Sequence, residues 1–157
     1  MIRIQYPFDW TVQESKSSGE LINVATFVSP TGPDSNPTAT VAIYIDRLHN
    51  STTDLNNYAH FVAFTDYENN FHDFKLLELS TNSSLLGKSV YTLIGTYQDP
   101  SAGSQKIMEV GTVIGDKAYS VQYIADAPRY SDYLPTVQKM IDSLVIRNTV
   151  SQVMMLS

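Results

Sequence analysis

Apolar and polar residues alternate along much of this chain, with the period of two that marks strands having one face buried. Residues 2–6 (Ile-Arg-Ile-Gln-Tyr) open the series, and Pro7 ends the first run. Asp9 and Trp10 follow in a turn, with Trp10 expected as a core anchor. Leu21 to Ser29 is a second run rich in β-formers. Pro30, Gly32, Pro33 and Pro37 then make residues 30–38 a loop that no strand continues through. Ala39 to Asp46 predicts a third strand, with Val41, Ile43 and Ile45 on one face and Ala42 and Tyr44 on the other.

The period then lengthens. Leu55, Tyr58, Ala59 and Val62 fall at helical spacing, with Thr53 as N-cap and Asp54 in the first turn. The pattern fades near Glu68-Asn69-Asn70. Residues 74–80 and 89–97 read as strands separated by a turn around Gly87, and Asp99 to Gln105 as a Pro/Gly/Ser loop. Residues 106–124 predict a hairpin about Gly115-Asp116. Met108, Val110, Thr112, Tyr119, Val121 and Tyr123 share one face of it. Glu109, Gly111, Ser120 and Gln122 share the other, and the first face is expected to be the more deeply buried.

A last helix is expected with Ser131 as N-cap and Pro135 in its first turn, where a missing N–H costs little. Leu134, Val137, Met140, Ile141 and Leu144 form its stripe, and Val145-Ile146 suggests a short closing strand. Successive strands with few helices, without βαβ alternation, predict an α+β fold on a mainly antiparallel sheet. One domain is expected over residues 1–147, with an apolar C-terminal tail at 148–157.

Composition narrows the partner classes. The chain has 157 residues, 43% of them hydrophobic, enough for one core of ordinary size. The formal charge is −6 and the basic residues are scattered, which argues against nucleic acid and against an anionic membrane surface. There is no cysteine, so disulfides, thiol nucleophiles and thiolate metal sites drop out. No apolar run reaches the ~18 residues of a membrane span. No stretch reads as a signal peptide, and the chain opens directly into a strand. That is expected of a cytosolic start or of the mature form of a longer precursor.

Several segments resemble PsbP-like domains. Ile2 to Trp10 is similar to their opening Tyr-Pro-x-x-Trp strand and turn, and Thr26-Phe27-Val28-Ser29-Pro30 to their second strand. Gly115-Asp116-Lys117-Ala118-Tyr119 resembles their central hairpin. Tyr123 to Ile146, with Tyr130 to Pro135 and Met140 to Ser143, resembles their closing strand and helix. The match covers residues 1 to about 147 and is nearer to non-photosynthetic archaeal and bacterial members than to the plant photosystem subunit. The resemblance implies an α/β/α sandwich, with helices on both faces of the central sheet, and an extracytoplasmic, secreted or cell-surface location. Other members include an extrinsic photosystem II subunit and a Ran-binding nuclear factor. The theme it implies is docking onto a protein complex rather than catalysis. The photosystem subunit's influence on calcium, chloride and manganese maps onto no position here.

Candidate chemistry is sparse. There is no nucleophile elbow, phosphate-cradling glycine loop, zincin motif or EF-hand loop. His49, His60 and His72 leave a hydrolase triad open, with nothing local to support it. His72 and Asp73, near Asp66 and Glu68, are the candidates for a divalent metal, set against a plain acidic, solvated loop. No other cofactor is expected. The ten tyrosines stand out. Tyr119 and Tyr123 are expected in the core, whereas Tyr130, Asp132 and Tyr133 are candidate binding residues, as are Met154 and Met155 in the tail. The alternative for Tyr130 and Tyr133 is packing of helix on sheet. Asn50 and Asn82 fit the N-glycosylation sequon. The leading functional expectation is a non-catalytic extracytoplasmic module docking onto a membrane-associated or cell-envelope complex. A small-ligand or metal-binding carrier or sensor is the first alternative, and a hydrolase the second.

Overall fold

The computed structural model describes residues 1–32, 39–49 and 53–147, with the backbone alone at 15–18. Seven strands pair antiparallel in the order β2-β3-β4-β8-β7-β6-β5. They are β2 (Thr11–Ser18), β3 (Leu21–Val28), β4 (Ala39–Arg47), β5 (Lys75–Leu85), β6 (Lys88–Asp99), β7 (Gly103–Ile114) and β8 (Lys117–Asp126). A separate two-stranded pair joins the two ends of the described residues, β1 (Ile2–Arg3) to β9 (Val145–Ile146).

The strand order explains where the helices lie. After the β2-β3-β4 meander the chain must reach the far edge of the sheet to start β5. It crosses one face as α1 (Leu55–Phe61), a π-helical turn (Val62–Asp66) and α2 (Tyr67–Asn70). The strands from β5 to β8 then return as a second meander that ends beside β4. A 3-10 turn (Ala127–Arg129) leads into α3 (Tyr130–Asp142), which covers the other face. The result is the expected α/β/α sandwich with a core on each side of the sheet.

On the α3 side, Trp10, Val41, Ile43, Met108, Val121 and Tyr123 pack with Val137, Met140 and Ile141. On the α1 side, Tyr58, Ala59, Val62, Ala63 and Tyr67 cover Tyr91, Leu93, Tyr97 and Ile107. The α1 stripe and the hairpin at Gly115-Asp116 are where the sequence pattern places them.

Several expectations are corrected. β2 is a full strand where the sequence pattern gave none. The Asp99-to-Gln105 loop shrinks to residues 100–102, because β6 and β7 continue to Asp99 and from Gly103. Asp54, not Thr53, caps α1: its carboxylate accepts from the Asn57 N–H at 2.7 Å. α3 begins at Tyr130, two residues earlier than a Ser131 cap implies, and continues the 3-10 turn. Pro135 therefore lies inside the helix, and no side chain caps its start. The second face of the β7-β8 hairpin is also buried, since the α1–α2 run lies over it. Glu109 there is only 5% exposed. The loop residues Pro33 and Pro37, the sequon residue Asn50, and Met154 and Met155 with the rest of the tail lie outside the described residues.

Candidate functional site

Glu109 sits at the centre of β7, between β6 and β8, and faces the α1–α2 run. It is flanked by Met108 and Val110, whose side chains enter the opposite core. The carboxylate is held by two tyrosines from different layers. Tyr67 on α2 donates to Oε1 at 2.8 Å, and Tyr91 on β6 donates to Oε2 at 2.6 Å. Tyr67's hydroxyl in turn accepts from Gln122 Nε2 on β8 at 3.0 Å. Gly111 makes room for this arrangement. It pairs with Tyr91 in the sheet, and a Cβ there would stand 2.5 Å from the Tyr91 hydroxyl.

The helical run is shaped to this floor. In its π-helical turn the Tyr67 N–H bonds the Val62 carbonyl, five residues back. Such single wide turns often mark functional positions. Asp66 from that turn and Asp46 from β4 line the cleft above Glu109, and Tyr58 donates to Asp46 Oδ2 at 3.0 Å. The cleft has a volume of about 530 Å³, and Leu21 and Phe61 stand exposed on its wall. Its lining holds three carboxylates, three tyrosines and two phenylalanines, with no Lys, Arg or His among the described residues. A neighbouring cavity shares Asp46, Tyr58 and Phe61 and adds Glu20, Arg47 and His49.

Burial without a cation dominates the electrostatics. Desolvation pushes Glu109 up to about 7 against the lowering effect of the Tyr91 and Tyr67 hydrogen bonds, and repulsion from Asp66 and Asp46 adds to the rise. Burial likewise raises Asp66, opposed by the hydrogen bond from Asn70. Tyr67, Tyr91, Tyr58 and Tyr44 all stay protonated well into alkali, first through burial and then through nearby carboxylates. The site therefore offers a proton-exchanging carboxyl and fixed acceptors, inside an aromatic wall.

Glu109 was legible in the sequence only as a lone carboxylate in the apolar run Ile107 to Val110. The alternation places it on the face that the structure shows, but not in the core, where it is buried. The tyrosines that hold it, Tyr67 and Tyr91, carry no sequence signal for the contact because they come from distant elements.

The residues singled out from sequence fall elsewhere. Tyr130 is a core residue, 5% exposed, with its ring edge-on to Tyr123 at 4.7 Å and Lys106 Nζ 4.5 Å from its centre. It is thus withdrawn from the surface assigned to it. Tyr133 is half-buried with its ring 6.1 Å from that of Trp10, and Asp132 is exposed. His72 and Asp73 are both exposed, 3.5 Å apart, and among the described residues no group of three or more His, Cys, Asp or Glu is placed to hold a metal. His49 pairs with Glu20 at 2.6 Å and His60 with the Asn56 carbonyl at 2.7 Å, neither of them a nucleophile. Asn82 is exposed in the edge strand β5, inside a register shift, and not in the loop its sequon implied.

Tyr130 offers a direct test of its packing role. Its buried hydroxyl has no hydrogen-bond partner among the described residues, whereas the Tyr123 hydroxyl donates to the Tyr130 carbonyl at 2.7 Å. Tyr130→Phe is expected to leave stability unchanged or raise it, and Tyr123→Phe to lower it by about 1 kcal/mol. Urea denaturation of the two variants reads the difference.

No protein-family model and no curated protein matches the sequence. Solved structures do match the fold. LpqN of Mycobacterium tuberculosis, involved in cell envelope biogenesis, is similar at a TM-score of 0.69 and 15% identity, over 94% of this chain and 83% of that one. The cyanobacterial PsbP of Synechocystis sp. PCC 6803 is similar at 0.66 and 13%, over 93% and 86%. A Pseudomonas aeruginosa protein of unknown function, PA94, called a putative regulator, is similar at 0.57 and 13%, over 94% and 99%. By its strand order, its two helical layers and these likenesses, the chain has the PsbP-like fold.

Proposed function

We propose that this domain is a non-catalytic extracytoplasmic binding module that docks onto a cell-envelope or membrane-associated protein complex, and that the Glu109 cleft is its recognition site. The observation that carries the reading is a deep cleft with three carboxylates, an aromatic wall and no basic residue in its described lining. Such a surface favours a partner element that presents a lysine or arginine beside apolar side chains, since charge complementarity selects partners and aromatic walls supply contact area. Phe61, half-exposed on the cleft wall, extends the apolar rim. The cell-envelope role stated for LpqN, which shares the fold, agrees with the proposed setting. Among the described residues no helix is long and apolar enough to cross a membrane, so attachment through a partner suits the domain.

Site-specific photocrosslinking tests the assignment. A photoreactive residue at position 61 is expected to capture one envelope protein, and Asp66→Asn in the same protein to weaken that capture severalfold. The same probe at position 132, exposed at the start of α3, serves as the comparison. Capture at 132 and not at 61 moves the docking surface to Asp132 and Tyr133. No capture at either position sinks the docking reading.

A further inference from the structure

On the opposite side of the sheet a second cavity opens between α3 and the strands, with a volume of about 220 Å³. Val90, Val110 and Val121 form its sheet wall, and Ile141, Leu144 and Ile146 close it from the α3 side. An enclosed apolar space of ~150 Å³ is enough to hold benzene, while sites for drug-sized bodies begin at ~300 Å³. This cavity is therefore sized for one hydrocarbon chain. Its polar lining is already engaged in part, since the Thr112 hydroxyl donates to the Ser89 carbonyl at 2.8 Å.

Two features at the mouth point to an amphiphile. Lys88 is the cavity's single charged residue; no Asp or Glu lines it, and Lys88 has no carboxylate partner among the described residues. Lys88 thus gives the mouth of an apolar cavity a positive charge in a chain of formal charge −6. Next to it, Leu86 and Gly87 form the two-residue turn between β5 and β6, with φ of 53° and 77°. Both central positions of such a turn call for the left-handed region, where Asn or Asp is usual and leucine is strained. Leu86 nevertheless occupies it, 65% exposed, and lines the cavity mouth. A strained residue at a cavity mouth points to a role for its side chain.

We propose that this cavity binds a free medium-chain alkyl carboxylate, its chain between α3 and the sheet, its carboxylate at Lys88, and Leu86 folded over the chain where it enters.

The full chain is titrated with decanoate below its micelle concentration and followed by calorimetry and methyl NMR. One molecule per chain is expected, with shifts confined to the methyls of Val110, Val121, Ile141 and Leu144. Decyltrimethylammonium is expected not to bind there. Lys88→Gln should weaken decanoate about fivefold, the upper range for an exposed charge contact. Leu86→Asn should raise the melting temperature while weakening decanoate, which separates a ligand role from damage to the fold. No saturable binding, equal binding of the cationic probe, shifts centred on another face, or decanoate affinity untouched in both variants would each overturn the proposal. Binding only to anionic vesicles and not to monomeric decanoate would overturn it too, since the occupant would then be a lipid surface.

Discussion

Glu109→Ala lowers the unfolding free energy by roughly 3 kcal/mol, because two buried hydroxyls lose their acceptor and a gap opens between β7 and α2. Glu109→Gln keeps the shape and one acceptor oxygen, and costs about 1 kcal/mol at pH 5. Glu109→Met combined with Tyr67→Phe and Tyr91→Phe recovers most of the alanine loss, since a buried polar network is commonly replaceable by apolar groups of similar volume. Trp10, buried under α3, is the fluorescence probe for the denaturation series.

The same carboxyl sets a pH dependence whose sign is fixed by the direction of its shift. Burial raises Glu109 from 4.5 to about 7 in the folded protein. Between those values the folded state holds a proton that the unfolded state has released, so stability falls as pH rises. The contribution is fully present below pH 4.5, is lost as pH climbs to about 7, and then levels off. The wild type therefore loses roughly 3 kcal/mol relative to Glu109→Gln between pH 4.5 and pH 7. Urea midpoints of both proteins from pH 5 to pH 8 measure it. A difference that stays flat, or a wild type that gains on Glu109→Gln as pH rises, contradicts the buried, cation-free setting described for Glu109.

Gly95→Ala is the second large effect. A Cβ at Gly95 would lie 2.5 Å from the Phe74 ring and 2.9 Å from the Lys75 carbonyl oxygen. The ring can rotate away, but the carbonyl belongs to the paired strand β5 and cannot move without breaking the register. Overpacking of this kind costs about 1–3 kcal/mol, and the backbone contact places Gly95→Ala at the upper end. Gly111→Ala meets the end of the Tyr91 side chain, which is pinned by its bond to Glu109. Its cost is therefore expected to couple to Glu109→Ala, whereas that of Gly95→Ala adds independently. A double-mutant cycle by denaturation separates the two. Phe74→Leu should relieve only part of the Gly95→Ala loss.

The sequence alone determined the elements whose faces are set by local period. The α1 stripe of Leu55, Tyr58, Ala59 and Val62, the α3 stripe from Leu134 to Ile141, the β7-β8 hairpin at Gly115, and the α+β class all follow from it. These features are legible because each depends on residues close together in the chain. The tertiary structure decided which of two sheet faces lies under which helix, and so which polar residue is buried. Glu109 and Gln122 read as the wetter side of a hairpin until the crossover from β4 to β5 lays α1 and α2 over them. Tyr130 reads as a surface aromatic beside charges until the early start of α3 turns it onto Tyr123. The Glu109 cleft joins β3, β4, β7, β8 and the α1–α2 run, residues as far apart in the chain as Leu21 and Ile124. No local period records a meeting of that range, because it is fixed by the order of strands in the sheet and not by the sequence of any one strand.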